Sequence, residues 1–233
     1  MVKPLSECRL YAFVDTAYLR GRAPATIAQE LCDGGADLIQ LRAKGLPLDE
    51  VRRMAEAILP VTRRAGVGLV INDHASLAVE VGAEFCHLGQ DDFFGAGYTR
   101  VSQVAEALRV GEPQADGRQA PVPKIRIGLS SASPEQAARA VAAGAEYLGV
   151  GPVYATGTKP SAKPVTLEYV RWATENLRLP WFAIGGIRLD NLDEVLAAGA
   201  QRICVVSAIL MAEDLATACR KLKDRLLAGG GRS

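Results

Sequence analysis

The groups able to do chemistry in this 233-residue chain recur at one kind of place. Gln40-Leu41-Arg42-Ala43-Lys44, Asn72-Asp73, Gln90-Asp91-Asp92, Ser130, Thr156-Gly157-Thr158-Lys159, Gly185-Gly186 and Ser207 each stand directly after a short apolar run. The runs read as strands, and most precede a helical pattern. Parallel strands would deliver all these groups to one end of one sheet, around a single ligand. Glycine amides, two separated acids and several cations suit a diphosphate held with a divalent metal.

Side chains alternate in direction along Arg42-Ala43-Lys44, so both cations can lean toward one mouth while Ala43 faces away; such fixed cations could clamp phosphate oxygens. A solvated basic loop is the plainer alternative. Asp73 and Asp92 follow two consecutive strands, and magnesium takes one or two carboxylates, completing its octahedron with water and substrate phosphate. Asp73 could instead cap the helix after it. Asp92 has no comparable capping role, and spacing does not separate it from Asp91 as a ligand. Lys159 could close over an anion. Gly185-Gly186 and Ser207 fall where barrels build phosphate sites from backbone amides and a helix end, although a tight turn would use the same glycines.

Other chemistries lack their residues. The chain has two histidines, His74 at a helix start and His87 inside a strand, where it reads as a core or barrel-interior residue. A Ser-His-acid triad and a two-histidine metal site are therefore not supported. Neither G-x-G-x-x-G nor a P-loop is present.

The elements that must position these groups show a weak repeat. Gly-Ala occurs at 35–36, 82–83, 144–145 and 199–200, each time closing a helical pattern and opening a strand. Glycine there can take the left-handed conformation that ends a helix. The strands so opened are Asp37–Leu41, Glu84–Leu88, Glu146–Val150 and Arg202–Val206, with Arg9–Val14, Val67–Ile71, Lys124–Leu129 and Trp181–Ile184 between them. Helical spacing covers Thr26–Cys32, Leu48–Arg64, Ser76–Val81, Val101–Leu108, Pro134–Ala143, Leu167–Asn176, Leu192–Ala198 and Glu213–Leu227. Ser133-Pro134-Glu135-Gln136 carries the signature of a capping box. Eight strands alternating with eight helices predict a single α/β domain over 1–233, a closed (β/α)8 TIM barrel, with an open doubly wound sheet as the alternative. Val110–Pro123 reads as a surface insertion on the face away from the site. Pro152–Pro164 reads as a lid or ligand clamp, and Ala228–Ser233 as a flexible tail.

Composition bounds the partners. Apolar residues make up 49% of the chain, enough for a large core, and the net charge of +1 gives no extended basic face for nucleic acid. The five cysteines are scattered without a C-x-x-C pair, so neither a zinc site nor a disulfide framework is expected; Cys86 and Cys204 read as buried thiols. No signal-peptide pattern opens the chain, and no apolar stretch reaches membrane-spanning length. A cytoplasmic protein with no membrane partner is expected; homo-oligomerisation is left open.

Taken together, Gln40-Leu41-Arg42-x-Lys44, Asn72-Asp73, His87-Leu88-Gly89-Gln90-Asp91-Asp92, Gly128-Leu129-Ser130, Gly151-Pro152-Val153-Tyr154 with Thr156-x-Thr158-Lys159, and Ile184-Gly185-Gly186-Ile187 resemble the thiamine phosphate synthases. The resemblance runs from about residue 9 to 215. It implies a (β/α)8 barrel that joins a hydroxymethylpyrimidine diphosphate to a thiazole phosphate, releasing diphosphate. It also implies Mg2+ on Asp73 and Asp92, and contacts from Gln40, Arg42, Lys44, Asn72, Ser130 and Lys159 to the pyrimidine diphosphate. Thr156 and Thr158 would meet the carboxylate side of the thiazole, and Gly186, Val206 and Ser207 its phosphate. Two positions depart from the family pattern: Ala43, where an acid or its equivalent is usual, and Ala132, where histidine is common. A thiazole tautomerase-like isomerase would want a proton-transfer histidine near Ala132 and would not need the diphosphate cations. A non-catalytic barrel that senses thiamine precursors would use the same contacts as the enzyme.

Overall fold

The structure, a computed structural model, describes residues 2–108, 124–157 and 163–229. Among them, strands β1 (Leu10–Asp15), β2 (Leu38–Arg42), β3 (Gly68–Asn72), β4 (Phe85–Leu88), β5 (Arg126–Ser131), β6 (Tyr147–Val150), β7 (Trp181–Ile184) and β8 (Ile203–Cys204) form a closed barrel in sequential order. Every pairing is parallel, including β8 back onto β1. Both faces of such a sheet are covered, which is why the strands read as continuous apolar runs rather than alternations. All six residues of β1 are buried.

Around the barrel lie α1 (Pro24–Asp33), α2 (Leu48–Ala65), α3 (Ala75–Val81), α4 (Val101–Ala107), α5 (Pro134–Ala142), α6 (Thr166–Asn176), α7 (Leu192–Ala197), α8 (Ser207–Leu210) and α9 (Leu215–Gly229). The inward stripe of α2 is Val51, Ala55, Ile58, Leu59 and Thr62, the three-to-four spacing of an amphipathic helix. The glycines of the repeat behave as expected: Gly35, Gly82, Gly144 and Gly199 all have φ between +74° and +99°. At α5 the Ser133 hydroxyl accepts from the Gln136 amide at 3.3 Å, but the Gln136 side chain takes the Ala132 amide rather than that of Ser133, so the capping box is offset by one residue.

Some boundaries differ from expectation. β5 runs two residues further than Leu129, so Ser130 lies within the strand, and β8 shrinks to Ile203–Cys204. Three short elements carried no periodic signal: a 3-10 turn at Thr16–Tyr18, a π-helical turn at Asp91–Gly95, and α8. The last helix includes Ala228 and Gly229; residues 230–233 and the insertion at 110–123 lie outside the described residues. All five cysteines are free, with Cys86 and Cys204 buried as expected. No described helix is long and apolar enough to cross a membrane.

An aromatic cluster fills the barrel interior. Tyr11 meets Phe182 edge-on at 5.3 Å and Tyr147 at 6.1 Å, and Tyr147 meets Phe182 at 5.9 Å. Gly128 on β5 makes room for this cluster, since a Cβ there would stand 2.1 Å from Cζ of Tyr147. At the opposite barrel end, the fully buried Asp37 ties four segments together. It accepts from the Arg9 and Leu10 amides at 2.8 and 3.0 Å, from Lys3 at 2.8 Å, and from Lys223 of α9.

Candidate active site

Strand polarity brings the ends of β1 to β8 to one mouth, and the interatomic contacts there link neighbouring strands. Arg42, the last residue of β2, reaches back to β1, where its Nη1 lies 2.8 Å from Asp15 Oδ2. Lys44 reaches the other way, placing Nζ 2.6 Å from Asp73 Oδ2 beyond β3. The two cations thus diverge along the rim, while Ala43 between them is buried. Asp15 follows the first apolar run just as the other candidates follow theirs; that signal was there to find. Its carboxylate is buried and also caps the turn after β1 through the Ala17 amide at 3.0 Å.

Asp73 does not cap α3, the role that competed with metal binding. His74 is the N-cap residue, and no side chain caps that helix. Asp73 instead has φ +64°, a left-handed conformation uncommon outside glycine, asparagine and aspartate, and its amide donates to the His87 carbonyl at 2.9 Å. This bond ties the end of β3 to β4, in register with the Asn72–His87 pair.

Asp92 departs from expectation in the other direction. Its Oδ2 accepts from the Gly89 amide at 3.1 Å, so it does have a local capping role. Asp91 and Asp92 are both exposed on the π-helical turn, an element frequent at functional sites. That turn is fastened to β5: Gln90 donates to the Ser130 carbonyl at 2.6 Å and accepts from Arg139 at 2.7 Å, while the Arg139 guanidinium stacks 3.9 Å above Phe94. Among the described residues no three His, Cys, Asp or Glu side chains gather as a metal cage.

Ser130 lies 3.0 Å from Nε2 of His87, which confirms His87 as a barrel-interior residue. Gln40, also buried, donates to the Tyr11 hydroxyl. Gly185 and Gly186 have φ of +101° and +65°. A Cβ on Gly185 would collide with Pro152 at 2.4 Å, and one on Gly186 with Tyr154 and Ala155 at 2.7 Å. The packing of the sixth loop, which begins at Gly151 after β6, onto the end of β7 therefore explains both glycines before any ligand is considered. The Gly186 carbonyl accepts from Asn191 at 3.0 Å. Val206 and Ser207 open α8, a short extra helix after β8 of the kind that completes phosphate sites in such barrels. The sixth loop leads toward the far side of the mouth: a methyl group on Gly157 would stand 3.9 Å from the Tyr18 hydroxyl, just beyond β1. Thr156 is on this described stretch; Thr158 and Lys159 lie outside the described residues.

A cleft of about 640 Å3 flanks this mouth, lined by Ala132, Ser133, Pro152, Glu168, Tyr169 and Trp172 among others. It lies between α5 and α6 and holds none of the candidate residues. The described candidate cations, acids and glycines lie instead at the C-terminal strand ends.

Fold and site together define an enzyme-class (β/α)8 barrel with its polar groups at the C-terminal ends of the strands, the face that carries the active site in such barrels. A family model described as thiamine monophosphate synthase matches residues 10–209. The chain belongs to the thiamine monophosphate synthase family, a family of transferases. It is 43% identical over 194 residues to a thiamine-phosphate synthase of Thermus thermophilus, covering 83% of this chain and 84% of that one. It is 39% identical over 230 residues to the thiamine-phosphate synthase of Acidothermus cellulolyticus, covering 98% and 99%. A solved thiamine phosphate pyrophosphorylase from Pyrococcus furiosus superposes with a TM-score of 0.80 at 30% identity, covering 97% of this chain and 99% of that one.

Proposed function

We propose that this chain condenses a hydroxymethylpyrimidine diphosphate with a thiazole phosphate, releasing diphosphate and forming thiamine phosphate. The observation that carries the reading is the Lys44–Asp73 contact at the mouth of a barrel of this family, beside Asn72. It supports the reading because it sets a cation able to clamp phosphate against an acid able to take a metal, the two components a leaving diphosphate requires.

Asp73 and Asp92 would hold Mg2+. The donor set fits: two carboxylates lie beyond adjacent strands, one already facing a cation, and magnesium completes its shell with water and phosphate rather than with a protein cage. When bound, the ion would supply charge neutralisation to the diphosphate oxygens. Arg42, Lys44 and Lys159 would contribute to the same end as the carbon–oxygen bond breaks and its electron pair leaves with the diphosphate. The electron-rich aminopyrimidine stabilises the methylene cation so formed. The thiazole nitrogen, held in line, then donates its lone pair to that carbon, a capture made effectively unimolecular by positioning. Gln40, Asn72 and Ser130 would orient the pyrimidine diphosphate. Thr156 and Thr158 would orient the thiazole, and Gly186, Val206 and Ser207 would hold its phosphate. No protein nucleophile takes part, in keeping with cysteine thiols that burial pushes up, buried Cys8 and partly buried Cys32 both to about 11.

Ala132 departs from the synthase pattern but counts against an isomerase, which would want a proton-transfer histidine at this position after β5. The direct test is diphosphate release by purified protein. Release should require the pyrimidine diphosphate, the thiazole phosphate and Mg2+ together. Turnover that survives chelation removes the metal assignment, and interconversion of thiazole phosphate tautomers without diphosphate release removes the synthase reading.

A further inference from the structure

Four hydrogen bonds cross the barrel interior from Gln40 on β2 to Ser130 on β5. Gln40 Nε2 donates to the Tyr11 hydroxyl, and the Tyr11 and Tyr147 hydroxyls are 3.3 Å apart. The Tyr147 hydroxyl is 3.3 Å from His87 Nδ1, and His87 Nε2 is 3.0 Å from Ser130 Oγ. Gln40, Tyr11 and Tyr147 are almost entirely buried, so Gln40 Nε2 and both hydroxyls depend on their neighbours in the chain for partners. The tyrosines lie deep among the aromatic rings of the core, while both ends belong to residues at the mouth.

Each hydroxyl in this chain has one hydrogen to give, so its bonds can be ordered in only two senses. With Gln40 donating, Tyr11 must pass its hydrogen to Tyr147, and Tyr147 must pass its own to His87 Nδ1. His87 then carries its proton on Nε2 and donates to Ser130, which keeps its hydroxyl hydrogen for a ligand. In the reverse sense Tyr11 would receive from both Gln40 and Tyr147, and the described hydrogen bonds offer its own hydrogen no acceptor. Reversal becomes satisfactory only if the Gln40 amide turns its oxygen toward Tyr11, which changes the atom that Gln40 keeps for a ligand.

We propose that Tyr11 and Tyr147 are positioning residues that couple the amide orientation of Gln40 to the donor state of Ser130. The relay rests on the reading above in one respect, that Gln40 and Ser130 both touch the pyrimidine substrate. It presets the hydrogen-bond polarity on two sides of that substrate before binding, through two residues that do not touch it. Gly128 is part of the arrangement, because only a residue without Cβ leaves space for the Tyr147 ring.

Two measurements test the relay. The first uses 15N NMR of the imidazoles in ligand-free protein. The chain has two histidines, so His74→Gln assigns both signals. His87 should be the Nε2–H tautomer in the wild type, and Tyr147→Phe, which removes the donor facing Nδ1, should admit the Nδ1–H form. An Nδ1–H tautomer in the wild type, or an Nε2–H tautomer that Tyr147→Phe leaves unmoved, overturns the proposal. The second is a double-mutant cycle on kcat. Tyr11→Phe should lower kcat about 5- to 10-fold in the wild type and less than about 2-fold in the Ser130→Ala background, the non-additivity of residues in one network. Equal losses in both backgrounds indicate a packing role alone and overturn it. Phenylalanine retains the ring that packs on Phe13 and Phe182, so the fold is kept. A wild-type protein that released no diphosphate would sink the synthase reading, while the imidazole spectra would still decide the relay.

Discussion

Replacing Asp37 with alanine removes a single acceptor that serves four donors. The carboxylate is fully buried and holds the first strand through the Arg9 and Leu10 amides, the segment before it through Lys3, and the last helix through Lys223. Lys3 is half-exposed, so that link contributes only about 0–1 kcal/mol. The larger loss comes from the two amides, each orphaned buried donor costing about 1–3 kcal/mol, and from Lys223, whose side chain is 13% exposed. The sum expected for Asp37→Ala is about 3–5 kcal/mol, the range for removing one partner of a buried ion pair. Asp37→Asn keeps an acceptor for the amides and should lose about 1–3 kcal/mol.

The pH dependence has a definite sign. Burial pushes the Asp37 carboxyl upward, but the hydrogen bonds from Lys223, Lys3 and the two amides outweigh it and hold the group below its ordinary value. Its contribution is therefore complete above the unfolded carboxylate value of about 3.9 and is lost as pH falls through the lower folded one. Urea unfolding followed by circular dichroism, at pH 7 and at steps down toward pH 3, measures both effects. A loss under about 1 kcal/mol for Asp37→Ala at pH 7 would refute the reasoning. So would a wild-type advantage over Asp37→Asn that grows on acidification.

The remaining predictions concern the mouth. Asp92→Ala and Lys159→Ala should each lower kcat by about 10²–10³, as expected for loss of one preorganised electrostatic contact, and steady-state diphosphate release checks this. Lys44→Gln should free Asp73, tightening Mg2+ binding in the absence of substrate by up to about 5-fold, since a half-exposed pair contributes at most about 1 kcal/mol; calorimetry reads it, and weaker binding would count against a metal on Asp73. Gly128→Ala drives a methyl into the Tyr147 ring and should destabilise by about 1–3 kcal/mol while lowering kcat; wild-type stability and rate together would show that the barrel interior yields more freely than its packing implies.

The sequence by itself determined the barrel and the face on which its candidate site residues lie. Strand polarity obliges every residue after an apolar run to emerge at the same end, so Arg42, Lys44, Asp73, Asp92 and Ser130 could be grouped without coordinates. The Gly-Ala repeat marked the helix ends because a left-handed turn admits glycine without Cβ strain. Tertiary structure alone decided which of these groups touch. That Lys44 turns to Asp73 while Arg42 turns to Asp15 depends on rotamers and on neighbouring strands far apart in sequence. The purpose of Gly185 and Gly186 emerged only when the sixth loop was seen packed against them. The Gln40–Tyr11–Tyr147–His87–Ser130 chain was invisible for the same reason. Five strands contribute one residue each, and no local pattern records which side chains a closed barrel brings face to face across its axis.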